Sequence, residues 1–139
     1  MLKRHLLISV IFILFTSCQS RKQEILDKRN KNLLDFKSKT VLDMDEIVER
    51  GEKKFQELNS PNFNSKTDTI RFKDNNIYVS YIALVNGCAE YIGDINYKND
   101  SIFLNLINVG EYECTEQRAD RLTFIINNPK NKKFAIVKW

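Results

Sequence analysis

The C-terminal half of the chain alternates apolar and polar residues with a period of two. This pattern is typical of β-strands that bury one face. It begins near residue 69 and predicts six strands. Their apolar positions are, strand by strand, Ile70 and Phe72; Ile77, Val79, Tyr81, Ala83 and Val85; Tyr91, Gly93, Ile95 and Tyr97; Ile102, Leu104 and Leu106; Leu122, Phe124 and Ile126; and Phe134, Ile136 and Val137. In the second strand, Tyr78, Ile82 and Leu84 make the opposite face apolar as well. We therefore expect that strand to be central and covered on both sides.

Short polar segments separate these strands and predict turns at residues 74–76, 99–100 and 128–133. Asn86 followed by Gly87 is the strongest hairpin signal, because both residues tolerate the positive φ of a type I′ turn. Strands joined in this way predict a mainly antiparallel β-meander, folded either as a sandwich or as a partly open barrel.

A helix is predicted before the strands, over residues 43–58. Its apolar residues recur at spacings of three and four and therefore share one face: Met44, Ile47, Val48, Gly51, Phe55 and Leu58. Asp43 and Glu46 resemble a capping arrangement at its start, and the segment 59–61 ends it at a proline. The predicted fold class is α+β, an N-terminal helix followed by the meander.

The segment from Gln19 to Thr40 is polar and highly charged, which is typical of a tether. Two interpretations remain open for it. A solvated linker accounts for its composition. A nascent helix accounts for a favourable pair of Glu24 with Lys28 and for a partial helical stripe formed by Ile25, Leu26, Arg29, Leu33 and Phe36.

The N-terminus carries the clearest targeting signal in the chain. A positive pair at positions 3 and 4 precedes an apolar run over residues 6–15 that only one serine interrupts. The run is shorter than the about 20 residues that span a bilayer, and small residues follow it, so it predicts a signal peptide. The sequence FTSC at positions 15–18 resembles the lipobox of bacterial lipoproteins. The resemblance implies cleavage after Ser17 and diacylglycerol on Cys18.

These signals divide the chain into three parts. Residues 1–17 are the predicted signal peptide, residues 18–40 the lipidated Cys18 and its charged tether, and residues 41–139 a single α+β domain. The expected location is the bacterial cell envelope. Gln19 directly after the lipid site resembles lipoproteins that are sent to the outer membrane.

Composition excludes several function classes if the leader is removed. His5 is the only histidine, so the processed chain would hold no imidazole for serine or cysteine hydrolase chemistry or for a histidine-bearing metal site. Twenty basic residues would remain against 18 acidic ones, a balance that does not indicate nucleic acid as a partner. We find no dinucleotide or phosphate-binding glycine motif and expect neither a cofactor nor a metal ion.

With Cys18 acylated, Cys88 and Cys114 remain. An even pair in an exported chain predicts a disulfide. A hairpin around Asn99 brings Cys88 opposite Gly110 and Glu111, so a bulge or folded loop there lets Cys114 reach it.

Acidic residues and tyrosines cluster in sequence around the two cysteines. They form a candidate binding surface for a basic partner, a glycan or a calcium ion, whereas ordinary solvated loop carboxylates and strand tyrosines are the alternative interpretation. The candidates are Glu90, Tyr91, Asp94, Glu111, Tyr112, Glu113 and Glu116.

Two functions fit these features. The first is a non-catalytic, membrane-anchored envelope lipoprotein that binds an envelope protein or glycan, similar in general plan to lipid-anchored inhibitors of lysozyme but sharing no specific motif with them. The second is a glycan hydrolase with two carboxylates, Glu90 with Glu111 or Glu113. Such an enzyme needs the two groups about 5 to 10 Å apart across one cleft.

Overall fold

The computed structural model describes residues 21–42 and 68–138, together with Lys53 and Glu57, which have helical conformation and exposed side chains. The predicted signal peptide, Cys18 and the rest of the helix predicted over residues 43–58 lie outside the described residues. Those expectations therefore stay predictions.

The described chain is mostly β-sheet. One short helix, α1 (Arg21–Lys28), precedes the strands β1 (Leu33–Leu42), β2 (Thr69–Lys73), β3 (Asn76–Asn86), β4 (Tyr91–Lys98), β5 (Ser101–Asn108), β6 (Gln117–Asn127) and β7 (Ala135–Val137). In α1, Lys28 donates a hydrogen bond to Glu24. This bond and the charge of Lys28 lower the pKa of Glu24. No helix within the described residues is long and apolar enough to cross a membrane.

The strands form two sheets, which corrects the predicted meander. One sheet has the order β1-β6-β3-β2, and the other has the order β4-β5-β7. All pairs are antiparallel except β5 with β7, which is parallel. Because β3 pairs with β6 over 11 residues from Asn76 to Asn86, a strand distant in sequence takes the place that the meander assigned to β4.

The hairpin predicted at Asn86 and Gly87 is wrong. Neither residue has the positive φ that a type I′ turn needs, and β3 and β4 belong to different sheets. The segment 87–90 instead carries the chain from one sheet to the other.

Two other predicted turns are confirmed. Asp74 and Asn75 both have positive φ and join β2 to β3 in a two-residue hairpin, in which Lys73 pairs with Asn76. Asn99 also has positive φ and joins β4 to β5.

Part of the segment that we predicted to be a tether is a strand. β1 pairs with β6 along its length, although Leu33 and Phe36 have the spacing of a helix. A β-bulge between Leu33 and Asp35 explains this difference, because one extra residue brings side chains three positions apart onto the same face. Both side chains pack in or against the core.

The two sheets share one hydrophobic core. Its buried residues come from five strands: Leu33, Ile77, Val79, Tyr81, Val85, Ile95, Ile102, Leu104, Leu106, Leu122, Phe124 and Ile126. At its centre, the Phe124 ring lies 4.9 Å from the Phe36 ring and 6.2 Å from the Tyr81 ring. The prediction that β3 is a central strand is confirmed.

Candidate functional site

A groove of about 570 Å³ opens where β1, the end of β6 and the segment 87–90 come together. Residues of both sheets contribute to its walls, because Tyr91 begins β4 whereas Ser38 and Asp120 belong to the four-stranded sheet. We refer to it as the polar groove. It is lined by Phe36, Lys37, Ser38, Thr40, Cys88, Ala89, Glu90, Tyr91, Arg118 and Asp120.

A buried ion pair lies in the polar groove. Asp120 is only 1% exposed, and its two oxygens accept hydrogen bonds from Arg118 Nε at 3.0 and 3.1 Å. The Ser38 hydroxyl donates a hydrogen bond to Asp120 Oδ2 at 2.7 Å. Both oxygens of this carboxylate are therefore satisfied, as a buried charge requires.

Arg118 also fastens the segment 87–90 to β6. Its Nη1 donates to the carbonyl of Gly87 at 2.6 Å, and its Nη2 donates to the carbonyl of Ala89 at 3.1 Å. The planar guanidinium can make these bonds and the bond to Asp120 at the same time because its donors are fixed in a fork. The wall of the groove is thereby held in one position.

Asn86 organises the disulfide beside the groove. Its Oδ1 accepts a hydrogen bond from the Cys88 backbone N–H at 3.0 Å, and its Nδ2 donates to the Cys114 carbonyl. Gly87 N–H donates to the Glu116 carbonyl at 2.8 Å. The Cys88–Cys114 disulfide, with 5.7 Å between its Cα atoms, confirms the predicted bridge.

Removal of this disulfide is expected to lower the free energy of unfolding by about 3 kcal/mol, because the bridge restricts the unfolded chain. It closes a loop with a sequence separation of 26. Urea unfolding of a Cys88→Ser, Cys114→Ser double variant measures the effect. As a control, dithiothreitol should destabilise the wild type and leave the variant unchanged. Equal urea midpoints for the variant and the oxidised wild type would contradict the prediction.

The structure brings two of the predicted binding residues into the polar groove. Glu90 lies on its rim, where Lys22 of α1 donates to its carboxylate. Tyr91 lines the wall, and its hydroxyl accepts a hydrogen bond from the Asn86 N–H at 3.2 Å. Of the seven candidate residues, these two line the groove.

The other candidates lie elsewhere. Asp94 Oδ1 accepts hydrogen bonds from the backbone of Asn30 at 2.9 Å and of Ile95 at 2.8 Å, so it joins the segment that follows α1 to β4. Glu113 accepts a hydrogen bond from Asn108 at 2.7 Å. Glu111, Tyr112 and Glu116 are exposed on the connection before β6. None of these five residues lines the polar groove.

One cluster in the described chain has the spacing of metal ligands. Cys88, Cys114 and Glu116 offer ligand atoms within 4.8 Å of one another. The two sulfurs are joined in the disulfide, so neither is a thiolate that could bind a metal ion. This cluster therefore holds a bridge rather than a metal centre.

Sequence reasoning missed Arg118 and Asp120. A signal for them was present, because the alternation of Leu122, Phe124 and Ile126 extends backwards to both positions and places them on the inner face of β6. Two residues of opposite charge on the buried face of one strand indicate that they form an ion pair.

The chain was compared with protein-family models, with curated proteins and with solved structures, and no match was found in any of the three comparisons.

Proposed function

We propose that the chain is a non-catalytic, lipid-anchored binding module of the bacterial envelope and that the polar groove holds its ligand. The observation that carries this proposal is that both sheets wall one groove, which the Arg118–Asp120 pair and the neighbouring disulfide hold in shape. Preformed concave sites of this kind are where proteins bind ligands, because little ordering is needed on association.

The lining favours a polar ligand with some apolar surface. Phe36 and Tyr91 offer aromatic rings, Thr40 offers a hydroxyl, and the charged groups of Lys37 and Glu90 lie at the exposed rim. Aromatic faces beside hydrogen-bonding groups suit a glycan or a polar peptide segment. Both are abundant in the compartment that the FTSC sequence at positions 15–18 predicts.

Lipid attachment at Cys18 supplies the second half of the proposal. Its support is the resemblance of residues 15–18 to a lipobox and the apolar run before them. A lipid chain would keep the groove near the membrane surface, where its ligand is concentrated.

Glycan hydrolysis by paired carboxylates is the alternative proposal. Of the predicted carboxylates, only Glu90 lines the groove, and the other carboxylate among the described lining residues is Asp120. Arg118 and Ser38 occupy the oxygens of Asp120, which leaves it poorly placed to transfer a proton. The binding proposal is therefore favoured.

Photo-crosslinking of the full chain in its native host tests the proposal. A photoreactive amino acid at Thr40 or Glu90, both exposed and in the groove lining, should form one discrete adduct. The matched control is Asn96, which is exposed on β4 and outside the lining. Intact mass of the purified protein should also show an acylated product that begins at Cys18.

Three outcomes would contradict this proposal. Equal adducts from the groove and from Asn96 would remove the groove as the binding site. An unprocessed chain without lipid would remove the anchor. Release of soluble glycan fragments by the purified protein, lost in Glu90→Gln, would favour the hydrolase.

A further inference from the structure

A second depression, of about 380 Å³, lies on the outer face of the four-stranded sheet. Residues of three neighbouring strands line it: Thr69, Arg71 and Lys73 on β2, Tyr78 and Ser80 on β3, and Arg121 on β6. These positions alternate with the core residues Val79 and Leu122, so their side chains point away from the core. We call this surface the cationic depression.

A row of small hydroxyl residues crosses the strands at this depression. Thr69 pairs with Ser80, and Ser80 pairs with Thr123, so three hydroxyls cross three strands side by side. Ser80 is only 3% exposed and accepts a hydrogen bond from Thr123 at 3.4 Å. Larger side chains flank the row, with Arg71 and Tyr78 on one side and Arg121 on the other.

The described residues that line the cationic depression carry charge of one sign. They include three cations and no carboxylate. Among residues 21–42 and 68–138, Lys73 has an ion-pair partner in Asp74, whereas neither Arg71 nor Arg121 has one. Within the described part of the chain, two guanidinium groups are therefore without a counter-charge.

Lys39 adds positive charge beside the depression. It is directly opposite Arg121 in the β1–β6 ladder. Like charges at paired positions of an antiparallel ladder destabilise the sheet, and a bound anion relieves that repulsion.

The chemistry of the lining points to one kind of anion. Guanidinium groups bind phosphate through paired, charge-assisted hydrogen bonds. The hydroxyl of Thr69 and the buried hydroxyl of Ser80 can add bonds from the floor. Tyr78 is 38% exposed and lies directly opposite Arg71, so its ring presents a flat apolar surface beside the anion site. An aromatic ring in this position suits the face of a sugar.

We infer that the cationic depression binds a phosphorylated sugar, with the phosphate between Arg71 and Arg121 and the sugar ring against Tyr78. The inference does not depend on the proposed function, because this site lies on the outer face of the sheet and the buried Arg118–Asp120 pair faces inward. A surface glycan that carries phosphomonoester groups is the class of ligand that fits.

Titration calorimetry of the full-length chain at low ionic strength tests the inference. Glucose 6-phosphate should bind more tightly than inorganic phosphate, and glucose should not bind measurably. Affinity for glucose 6-phosphate should fall as salt is raised, because surface charges are screened. Arg71→Gln and Arg121→Gln should each weaken it by about tenfold. Lys98→Gln removes one exposed charge from β4 and should leave the affinity unchanged.

Tyr78→Ala separates the two halves of the inference. It should lower affinity for glucose 6-phosphate to that of inorganic phosphate and leave phosphate binding intact. Equal affinities for the two ligands in the wild type would overturn the sugar contact. Unchanged binding in both arginine variants, or binding to anionic phospholipid vesicles without binding to glucose 6-phosphate, would overturn the site. Thermal unfolding of each variant should show that it remains folded.

Discussion

Replacing Asp120 with alanine is expected to lower the free energy of unfolding by about 3 kcal/mol. Asp120 is buried and accepts hydrogen bonds from Arg118 and Ser38. Its loss leaves a largely buried guanidinium without its counter-charge, and an uncompensated charge in such a position is costly. Urea unfolding of the oxidised full chain measures the effect.

Asp100→Ala is the matched control, since Asp100 also pairs with a cation. Lys132 lowers the pKa of Asp100 through a hydrogen bond and its charge, and the Asp100 side chain is 83% exposed. Water replaces an exposed pair easily, so this variant should unfold at the wild-type midpoint. Equal destabilisation of the two variants would show that burial of the Arg118–Asp120 pair contributes nothing. Ligand capture through the polar groove should be lost only in the Asp120 variant.

Gly93→Ala should destabilise the fold by about 3 kcal/mol, because β4 approaches β1 closely at this point. A Cβ at position 93 would lie 2.2 Å from Phe36 Cδ2 and 2.4 Å from Phe36 Cγ. The Phe36 ring cannot easily move away, because it packs against Phe124 in the core. The added methyl group must therefore push the two sheets apart or displace the ring.

Gly87→Ala provides the comparison for this prediction. Its added Cβ would meet Glu116 Cβ at 3.3 Å, a contact that small shifts can relieve, and we expect a loss of under about 1 kcal/mol. A double variant, Gly93→Ala with Phe36→Ala, should be more stable than the sum of its single changes predicts, because the clash disappears with the ring. Strict additivity would mean that the two residues do not meet in solution.

Local sequence signals predicted the local features of this fold well. The turns at residues 74–75 and 99–100 depend on asparagine and aspartate tolerating positive φ, which is a property of the turn residues themselves. The Cys88–Cys114 bridge followed from the β4–β5 hairpin, which brings the sequence before β4 close to the sequence after β5.

Sequence signals were misinterpreted where the structure depends on strands that are distant in the chain. Asn86 and Gly87 have the composition of a hairpin turn, but β3 gains a longer and better-buried partner in β6 than in β4. Leu33 and Phe36 have helical spacing, and only pairing with β6 shows that a bulge produces it. Of the candidate binding residues, Glu90 and Tyr91 line the polar groove and are near Cys88 in sequence, whereas Arg118 and Asp120 reach the groove through β6.

The sequence by itself determined which segments are strands from residue 69 onward, where two of the tight turns lie and which cysteines pair. Each of these depends on residues close together in the chain, or on a hairpin that joins them. The tertiary structure alone decided that β1 is a strand and that the strands divide between two sheets. It also decided that β7 pairs in parallel with β5 and that cations flank a row of hydroxyls on both sides. The physical reason is that the fold which buries the most apolar surface is the most stable. The alternation of residues along one strand does not specify which distant strand it pairs with to bury that surface.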